Sequence, residues 1–202
     1  MSKVIVFDVG GVLLDWSPYH LYRQVLADDG AISHFLDEVG FNAWNVAQDA
    51  GERTWDEAVA LLAGRFPHRR DLIAAAHHRW HDMVKSPVSG TVDLLDRLAE
   101  AGTPLYAITN FSSEKFVEAR ERHRFLGHFR DVVVSGDERM LKPDPAIYRL
   151  LLDRNALDAG DCLFIDDSEK NVAGARAVGM QAVHFTSPWA LAESLRARGH
   201  AL

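Results

Sequence analysis

Four short apolar segments of this chain each end on polar or acidic residues, and this repeated pattern limits the fold more than any other feature. They are residues 3–8 (KVIVFD), 105–110 (LYAITN), 132–135 (VVVS) and 163–167 (LFIDD). Apolar runs without polar alternation are typical of parallel strands that are buried on both faces. The sequence therefore predicts parallel strands whose C-terminal ends carry polar side chains.

Helical patterns lie between these predicted strands. Asp144 is predicted to cap one helix, with Pro145 at its first position, where a missing N–H group costs nothing. A final strand at residues 181–185 and a helix after Pro188 complete the alternation. The other helices are marked by apolar residues at helical spacing, namely Val92, Leu95 and Leu98; Phe116 and Ala119; Ile147, Leu150 and Leu151; Val172, Ala175 and Ala177. This order predicts an α/β fold with a Rossmann-like, doubly wound parallel sheet and a ligand crevice at the carboxyl ends of its strands.

The stretch between the first and second predicted strands breaks the alternation, because it contains helical patterns without a strand. Thr54 and Glu57 have the spacing of a capping box at the start of one of these helices. We predict a small α-helical cap, residues 17–85, inserted after the first strand of a core formed by residues 1–16 and 86–202. A cap hinged beside the crevice is well placed to act as a lid.

Charge and composition exclude several classes of partner. The 202 residues include 22 Lys plus Arg and 29 Asp plus Glu, a formal charge of −7. A negative balance disfavours nucleic-acid binding, which needs an excess of basic residues to displace counterions. The apolar runs fall far short of the roughly 18 residues that span a bilayer, and the N-terminus lacks a secretory signal pattern. We therefore expect a cytoplasmic protein, a monomer or homodimer, without nucleic-acid or membrane partners.

The acidic strand ends are the strongest candidates for chemistry. Asp8 precedes Gly10 and Gly11, so it is a candidate nucleophile or metal ligand, although Asp and Gly also form ordinary turns. Asp166 and Asp167 would repel each other unless a cation lies nearby, and their hard oxygens suit Mg²⁺. The alternative is a helix N-cap, because Asp167 and Ser168 precede a helical pattern and favour its positive end. Both interpretations can hold, one for each acid.

Taken together and in order, these segments resemble the four motifs of the haloacid dehalogenase-like hydrolase superfamily, most of whose members are Mg²⁺-dependent phosphatases. The matching segments are residues 7–12 (FDVGGV), 108–110 (ITN), 142–143 (KP) and 164–171 (FIDDSEKN). The helical insertion looks like the small cap of one subgroup. Within that subgroup the chain resembles the α-D-glucose-1-phosphate phosphatase-like members.

The resemblance implies a role for each matching residue. Asp8 would attack the phosphorus of a small phosphorylated substrate and form an aspartyl-phosphate that water then hydrolyses. Lys142 would offset the charge between this nucleophile and the phosphate. The phosphoryl oxygens would be held by groups of Val9, Gly10, Thr109, Asn110 and Lys142. Mg²⁺ would be bound by Asp8, the backbone carbonyl of Gly10, Asp166 and Asp167.

One position departs from the family pattern. Most phosphatases of this superfamily carry a general acid–base Asp two residues after the nucleophile, where this chain has Gly10. Losing positioned proton transfer typically costs about 10²–10⁴-fold, so esters with poor leaving groups should react slowly and a sugar 1-phosphate should suffer less. Asp15 and His20 could substitute as proton carriers, although surface positions suit both.

Two other functions stay open at this stage. A phosphate-binding or partner-binding protein could keep the scaffold and lose efficient turnover through Gly10. With Gly10 in place of the usual Asp, the chain also resembles 2-haloacid dehalogenases. Those enzymes need no metal, however, and they lack the paired acids found here at Asp166 and Asp167. Paired acids would also repel a carboxylate substrate, so the pattern favours phosphoryl transfer.

Overall fold

The computed structural model describes residues 3–200 and residue 202. Its strands are β1 (Val4–Phe7), β2 (Leu14–Trp16), β3 (Val84–Pro87), β4 (Leu105–Thr109), β5 (Asp131–Val134), β6 (Cys162–Asp166) and β7 (Gln181–His184). Its α-helices are α1 (Pro18–Tyr22), α2 (Asp29–Val39), α3 (Phe41–Asp49), α4 (Trp55–Arg65), α5 (Arg70–His78), α6 (Ser89–Glu100), α7 (Ser113–Arg122), α8 (Ser135–Glu138), α9 (Pro145–Arg154), α10 (Glu169–Ala177) and α11 (Pro188–Ala197). Short 3₁₀ turns lie at Pro67–Arg69, Trp80–Met83, Arg124–His128 and Ala159–Asp161.

Five of these strands form one parallel sheet in the order β5-β4-β1-β6-β7. The chain starts at the central strand, builds outward through β4 and β5, and then crosses to β6 and β7 on the other side. Phe7 at the end of β1 is in register with Ala107 of β4 and Ile165 of β6. The strand order therefore reverses next to β1, which is where ligands bind in doubly wound sheets. This confirms the predicted fold class.

The sheet is buried on both faces, which explains its unbroken apolar strands. Val6 faces a cluster with Tyr148 and Val172, whereas Phe7 faces a second cluster with Leu95 and Leu191. Helices α9 and α10 therefore cover one face, and α6 and α11 cover the other. All residues of β1, β4 and β6 are buried, so a polar side chain at their ends is unusual unless the site uses it.

The helical insertion differs from its prediction at its two ends. Its helices α1–α5 are present, but β2 and β3 pair as an antiparallel ribbon at its base, where Trp16 is opposite Val84. Such short, partly exposed strands carry no clear periodic signal, so the prediction of helices alone missed them. Thr54 and Glu57 form the expected capping box. The division at residues 17–85 stays a prediction.

Two local predictions turn out differently from each other. The Asp144 side chain accepts a hydrogen bond from the N–H of Ala146 at 2.8 Å, as expected for a cap before Pro145. Ser135 does not end a strand, because β5 stops at Val134 and Ser135 begins α8.

None of the helices in the described part of the chain combines the length and apolar character that crossing a membrane requires.

Candidate active site

Three carboxylates meet where β1 and β6 end. Asp8 follows β1 directly, Asp166 is the last residue of β6, and Asp167 comes next. One oxygen from each carboxylate lies within 4.8 Å of the other two. Because β1 and β6 are adjacent parallel strands, their carboxyl ends bring together residues that are far apart in the sequence.

Lys142 lies between two of these acids. Its Nζ atom is 2.8 Å from Oδ1 of Asp8 and 2.7 Å from Oδ2 of Asp166, and its side chain is fully buried. The same ammonium lies 5.4 Å from the centroid of the Phe164 ring. Although burial opposes its charge, Asp8 and Asp166 hold the pKa of Lys142 above its usual value. The lysine is therefore a permanent positive charge beneath the acid cluster.

Asn110 holds the segment that carries Lys142. Its Oδ1 atom accepts a hydrogen bond from the Lys142 N–H at 2.8 Å, and its Nδ2 group donates to the Lys142 carbonyl at 3.1 Å. This reciprocal pair leaves one Nδ2 hydrogen for another acceptor. Asn110 is thus a positioning residue for Lys142, a role that the sequence did not indicate.

Asp166 is held in place by donors from the start of α10. Its Oδ1 atom accepts hydrogen bonds from the Ser168 N–H at 2.8 Å and from Nδ2 of Asn171 at 3.0 Å. Ser168 occupies the cap position of α10, but its side chain forms no capping bond. The alternative interpretation of a helix start at Ser168 therefore holds for its position, although the expected side-chain capping bond from Ser168 does not form.

The acid cluster is poised to attract a cation. Burial raises the pKa of Asp8 to about 7, with Lys142 opposing the rise and Asp166 adding to it. Burial and the charge of Asp166 also raise the pKa of Asp167. When ionised, the three carboxylates exceed the single ammonium by two negative charges. Hard oxygen donors with an excess of two negative charges fit Mg²⁺, so the residues present suit this ion.

The other predicted phosphate contacts lie near the same strand ends. The Thr109 hydroxyl is buried and has no hydrogen-bond partner within the described residues. Leaving a buried hydroxyl unpaired costs about 1–3 kcal/mol, so its position favours a ligand acceptor. The Val9 N–H instead donates to Oδ1 of Asp8 at 2.7 Å. Gly10 lines the open cavity, and a Cβ atom there would meet nothing within 4 Å.

A cavity of about 230 Å³ opens above the acids. Asp8, Asp167 and Asn110 line its core side. The helical insertion and its base supply residues to the opposite side, which are Trp16, Asn45, Asp49 and Trp80. Gly11, also at the cavity, has a φ of +73° and lies so close to Asp167 that a Cβ atom would be 2.3 Å from its Oδ2 atom. A Cβ atom there would displace the Asp167 carboxylate, and the positive φ also favours glycine.

The suggested proton carriers Asp15 and His20 do not line this cavity, as far as the described residues show. They are paired with each other instead, with His20 Nε2 3.1 Å from Oδ1 of Asp15. The sequence reasoning also missed Asn45, Asp49 and Trp80. Each lies in an ordinary helix or turn pattern, so no local signal separates these residues from their neighbours.

Comparison with known proteins identifies the type of fold and its relatives. A family model described as haloacid dehalogenase-like hydrolase matches residues 2–179. A sesquiterpene phosphatase of Aspergillus oryzae is 29% identical, and the match covers 96% of this chain and 95% of that protein. The plasmid-encoded protein CbbY of Cupriavidus necator is 33% identical over 90% of this chain and 77% of its own length. A fructose-1-phosphate phosphatase of Escherichia coli is 27% identical over 89% and 94%.

Solved structures agree on the fold. A haloacid dehalogenase family enzyme of Bacteroides thetaiotaomicron, crystallised with magnesium and inorganic phosphate, has a TM-score of 0.71 and 20% identity over 93% of this chain and 96% of that one. An L-2-haloacid dehalogenase of Xanthobacter autotrophicus has a TM-score of 0.65 and 20% identity over 100% and 85%. Since one fold accommodates both proteins, the site must decide between their chemistries.

Proposed function

Because the chain belongs to the haloacid dehalogenase-like hydrolase family, we propose that it is a Mg²⁺-dependent phosphatase of a small phosphorylated metabolite. The observation that carries the proposal is the cluster of Asp8, Asp166 and Asp167 around the buried Lys142. The phosphatase relatives support it. The cavity of about 230 Å³ favours a small substrate, for which a sugar phosphate is our leading candidate.

In this proposal Asp8 is the nucleophile. One of its carboxylate oxygens bonds to phosphorus, the ester bond to the leaving oxygen breaks, and an aspartyl-phosphate forms. Lys142 offsets the repulsion between the anionic nucleophile and the anionic ester, because its ammonium is 2.8 Å from Oδ1 of Asp8. Water then attacks the same phosphorus, which releases phosphate and restores the Asp8 carboxylate.

The remaining predicted residues hold the phosphoryl group and the ion. The unpaired hydroxyl of Thr109 and the free Nδ2 hydrogen of Asn110 donate to phosphoryl oxygens, together with the backbone N–H group of Gly10. The Val9 N–H joins them only when it releases its bond to Oδ1 of Asp8. Mg²⁺ would be held by Asp8, Asp166, Asp167 and the carbonyl of Gly10, and would supply further stabilisation of the developing negative charge. This assignment of metal ligands is the family pattern applied to the residues of this chain.

A metabolite panel tests the proposal. We expect phosphate release from sugar phosphates and other phosphomonoesters with Mg²⁺, and loss of that release when EDTA removes the ion. Replacing Asp8 by Asn should lower kcat/KM by at least about 10³-fold, because the covalent nucleophile is gone. The matched control is Asp15→Asn, which removes an acid from outside the cavity and should keep wild-type activity.

Each alternative function predicts a different result. Equal turnover by the Asp8→Asn variant would refute Asp8 as the nucleophile. Binding of Mg²⁺ and phosphate with no hydrolysis across the panel would favour a binding protein. Metal-independent halide release from 2-chloropropionate would favour a dehalogenase, although the neighbouring acids of the cluster disfavour that carboxylate substrate.

A further inference from the structure

Cleavage of a phosphate ester creates a proton requirement that the core side of the cavity does not meet. An alkoxide leaving group needs a proton as the ester bond breaks. In the proposed function, Asp8 attacks phosphorus and Asp166 and Asp167 hold the ion, so these acids must be ionised. Gly10 has no side chain, and the space beside it is open. A proton donor must therefore come from another side of the cavity.

Asp49 is an acid on that other side. It is the last residue of α3 in the helical insertion, and it lines the same cavity as Asp8. Its Oδ2 atom accepts a hydrogen bond from Nδ2 of Asn45 at 3.0 Å. Asp8 and Asp49 line one cavity, and the charge of Asp8 acts on the Asp49 carboxyl group. The leaving group is the part of an ester that points away from the nucleophile, so a donor on the side opposite Asp8 suits it.

The backbone of Asp49 is fixed to the core. The Ser135 hydroxyl donates to the Asp49 carbonyl at 2.5 Å and accepts from the Phe111 N–H at 2.8 Å. Two residues further on, Gly51 lies so close to the Gly136 carbonyl oxygen that a Cβ atom would be 2.2 Å from it. Asp49 is therefore held at a set distance from the end of β4, where Thr109 and Asn110 lie.

The surroundings of Asp49 keep its proton in place. Burial raises the pKa of Asp49 to about 8, the charge of Asp8 adds to the rise, and the Ser112 N–H opposes it. The end of α3 adds negative helix-dipole character. Asn45 and the indole groups of Trp16 and Trp80 share the cavity and carry no charge. The ammonium of Lys142 is bound instead to Asp8 and Asp166 on the core side.

We propose that Asp49 is the general acid and base of the reaction, an inference that rests on the proposed phosphatase function. As Asp8 bonds to phosphorus, the bond to the leaving oxygen breaks and the carboxyl proton of Asp49 passes to that oxygen. The products are an alcohol, the aspartyl-phosphate and an ionised Asp49. Asp49 then takes a proton from the attacking water while the bond between phosphorus and Asp8 breaks, and both acids return to their starting forms.

Two substrates of similar size with different leaving groups test this role. Benzyl phosphate releases an alkoxide that needs a proton, whereas 4-nitrophenyl phosphate releases a stable phenolate that does not. We compare kcat/KM, which reports the steps up to the aspartyl-phosphate, for the wild type and Asp49→Asn with Mg²⁺. The variant should lose about 10²–10⁴-fold on benzyl phosphate and less than about 10-fold on 4-nitrophenyl phosphate. Asp37→Asn, an exposed acid of α2, is the matched control and should leave both values unchanged.

The ratio of the two kcat/KM values decides the outcome, because it does not depend on the fraction of variant that folds. Asp49→Ala provides a second measurement and should change the ratio in the same direction. An unchanged ratio in both variants, with an active wild type, overturns the role of Asp49 and leaves the proposed function intact. A wild type that releases phosphate from neither substrate overturns both.

Discussion

The two sides of the cavity each present an aspartate, and the surroundings of the two differ. Asp8 on the core side contacts Lys142 at 2.8 Å, and Lys142 is also bound to Asp166. Asp49, on the side formed by the helical insertion, accepts its side-chain hydrogen bond from an amide group, Nδ2 of Asn45. Burial raises the pKa of both acids, but only Asp8 has a cation that opposes the rise. The same residue type is thus suited to attack phosphorus on one side and to carry a proton on the other.

The largest expected effect comes from removing the cation that distinguishes the two sides. Lys142→Met leaves Asp8 and Asp166 buried without their partner. We expect kcat/KM to fall by about 10²–10³-fold, because an electrostatic group at the reacting centre is lost. Breaking a buried ion pair also costs about 3–5 kcal/mol, which urea unfolding would measure. Lys85→Met, at an exposed lysine, is the control. Wild-type activity in Lys142→Met would contradict the assigned role.

A smaller effect should come from disturbing the contact that joins the two sides. Gly51 and Gly40 have φ angles of +66° and +67°, but only Gly51 lies against the core, at the Gly136 carbonyl. Replacing either by Ala should cost about 1–2 kcal/mol for the left-handed backbone. Gly51→Ala should cost about 1–3 kcal/mol more than Gly40→Ala, because the added methyl group overpacks the contact with Gly136.

The pair Gly51→Ala and Gly40→Ala therefore separates backbone strain from docking. Urea unfolding gives the free energy of each variant, and benzyl phosphate turnover reports whether Asp49 has moved. Equal destabilisation of the two variants would show that the contact with Gly136 does not hold the insertion against the core.

The smallest effect should be a change in how stability depends on pH. The folded-state pKa of Asp49 is about 8, whereas its unfolded value is near the ordinary value of about 3.9. Between these values the folded state keeps a proton that the unfolded state has lost, so this group lowers stability as pH rises. Asp49→Asn has no such proton, and its Tm should rise relative to that of the wild type between pH 5 and pH 6.

This measurement is made with EDTA, so that the acid cluster binds no metal in either protein. One pH unit between the two pKa values changes the stability difference by about 1.4 kcal/mol. The expected gain is therefore a few degrees, since about 1 kcal/mol corresponds to roughly 2–4 °C in a chain of this size. Asp37→Asn should show a constant difference from the wild type. A Tm gain that is the same at both pH values would indicate an ionised Asp49 throughout.

Much of the core side could be predicted from the sequence, because its residues are at the ends of recognisable strands. Val4–Phe7 and Cys162–Asp166 are apolar runs that end next to acids, and adjacent parallel strands bring those ends together. The predicted fold class is confirmed by the parallel sheet. The roles of Asp8, Lys142 and their neighbours stay predictions, although the structure places these side chains in one cluster.

The side of the cavity formed by the helical insertion could not be predicted in the same way. Asp49 and Trp80 lie in helical and turn segments whose patterns report only which face is apolar. The ribbon of β2 and β3 was missed because each strand has too few residues to show a period. Proton carriers were therefore sought near Asp8 in the sequence, at Asp15 and His20, and the structure pairs those two residues with each other instead.

By itself, the sequence determined the alternation of apolar strands and helices, the family, and the acids on the core side of the cavity. Each of these depends on residues that are close together in the chain. Only the tertiary structure decided which residues of the helical insertion share the cavity with those acids. Asp8 and Asp49 are brought to one cavity by the Ser135 hydrogen bonds and the close approach of Gly51 to Gly136. Such contacts join distant segments, and no local pattern of residues specifies them.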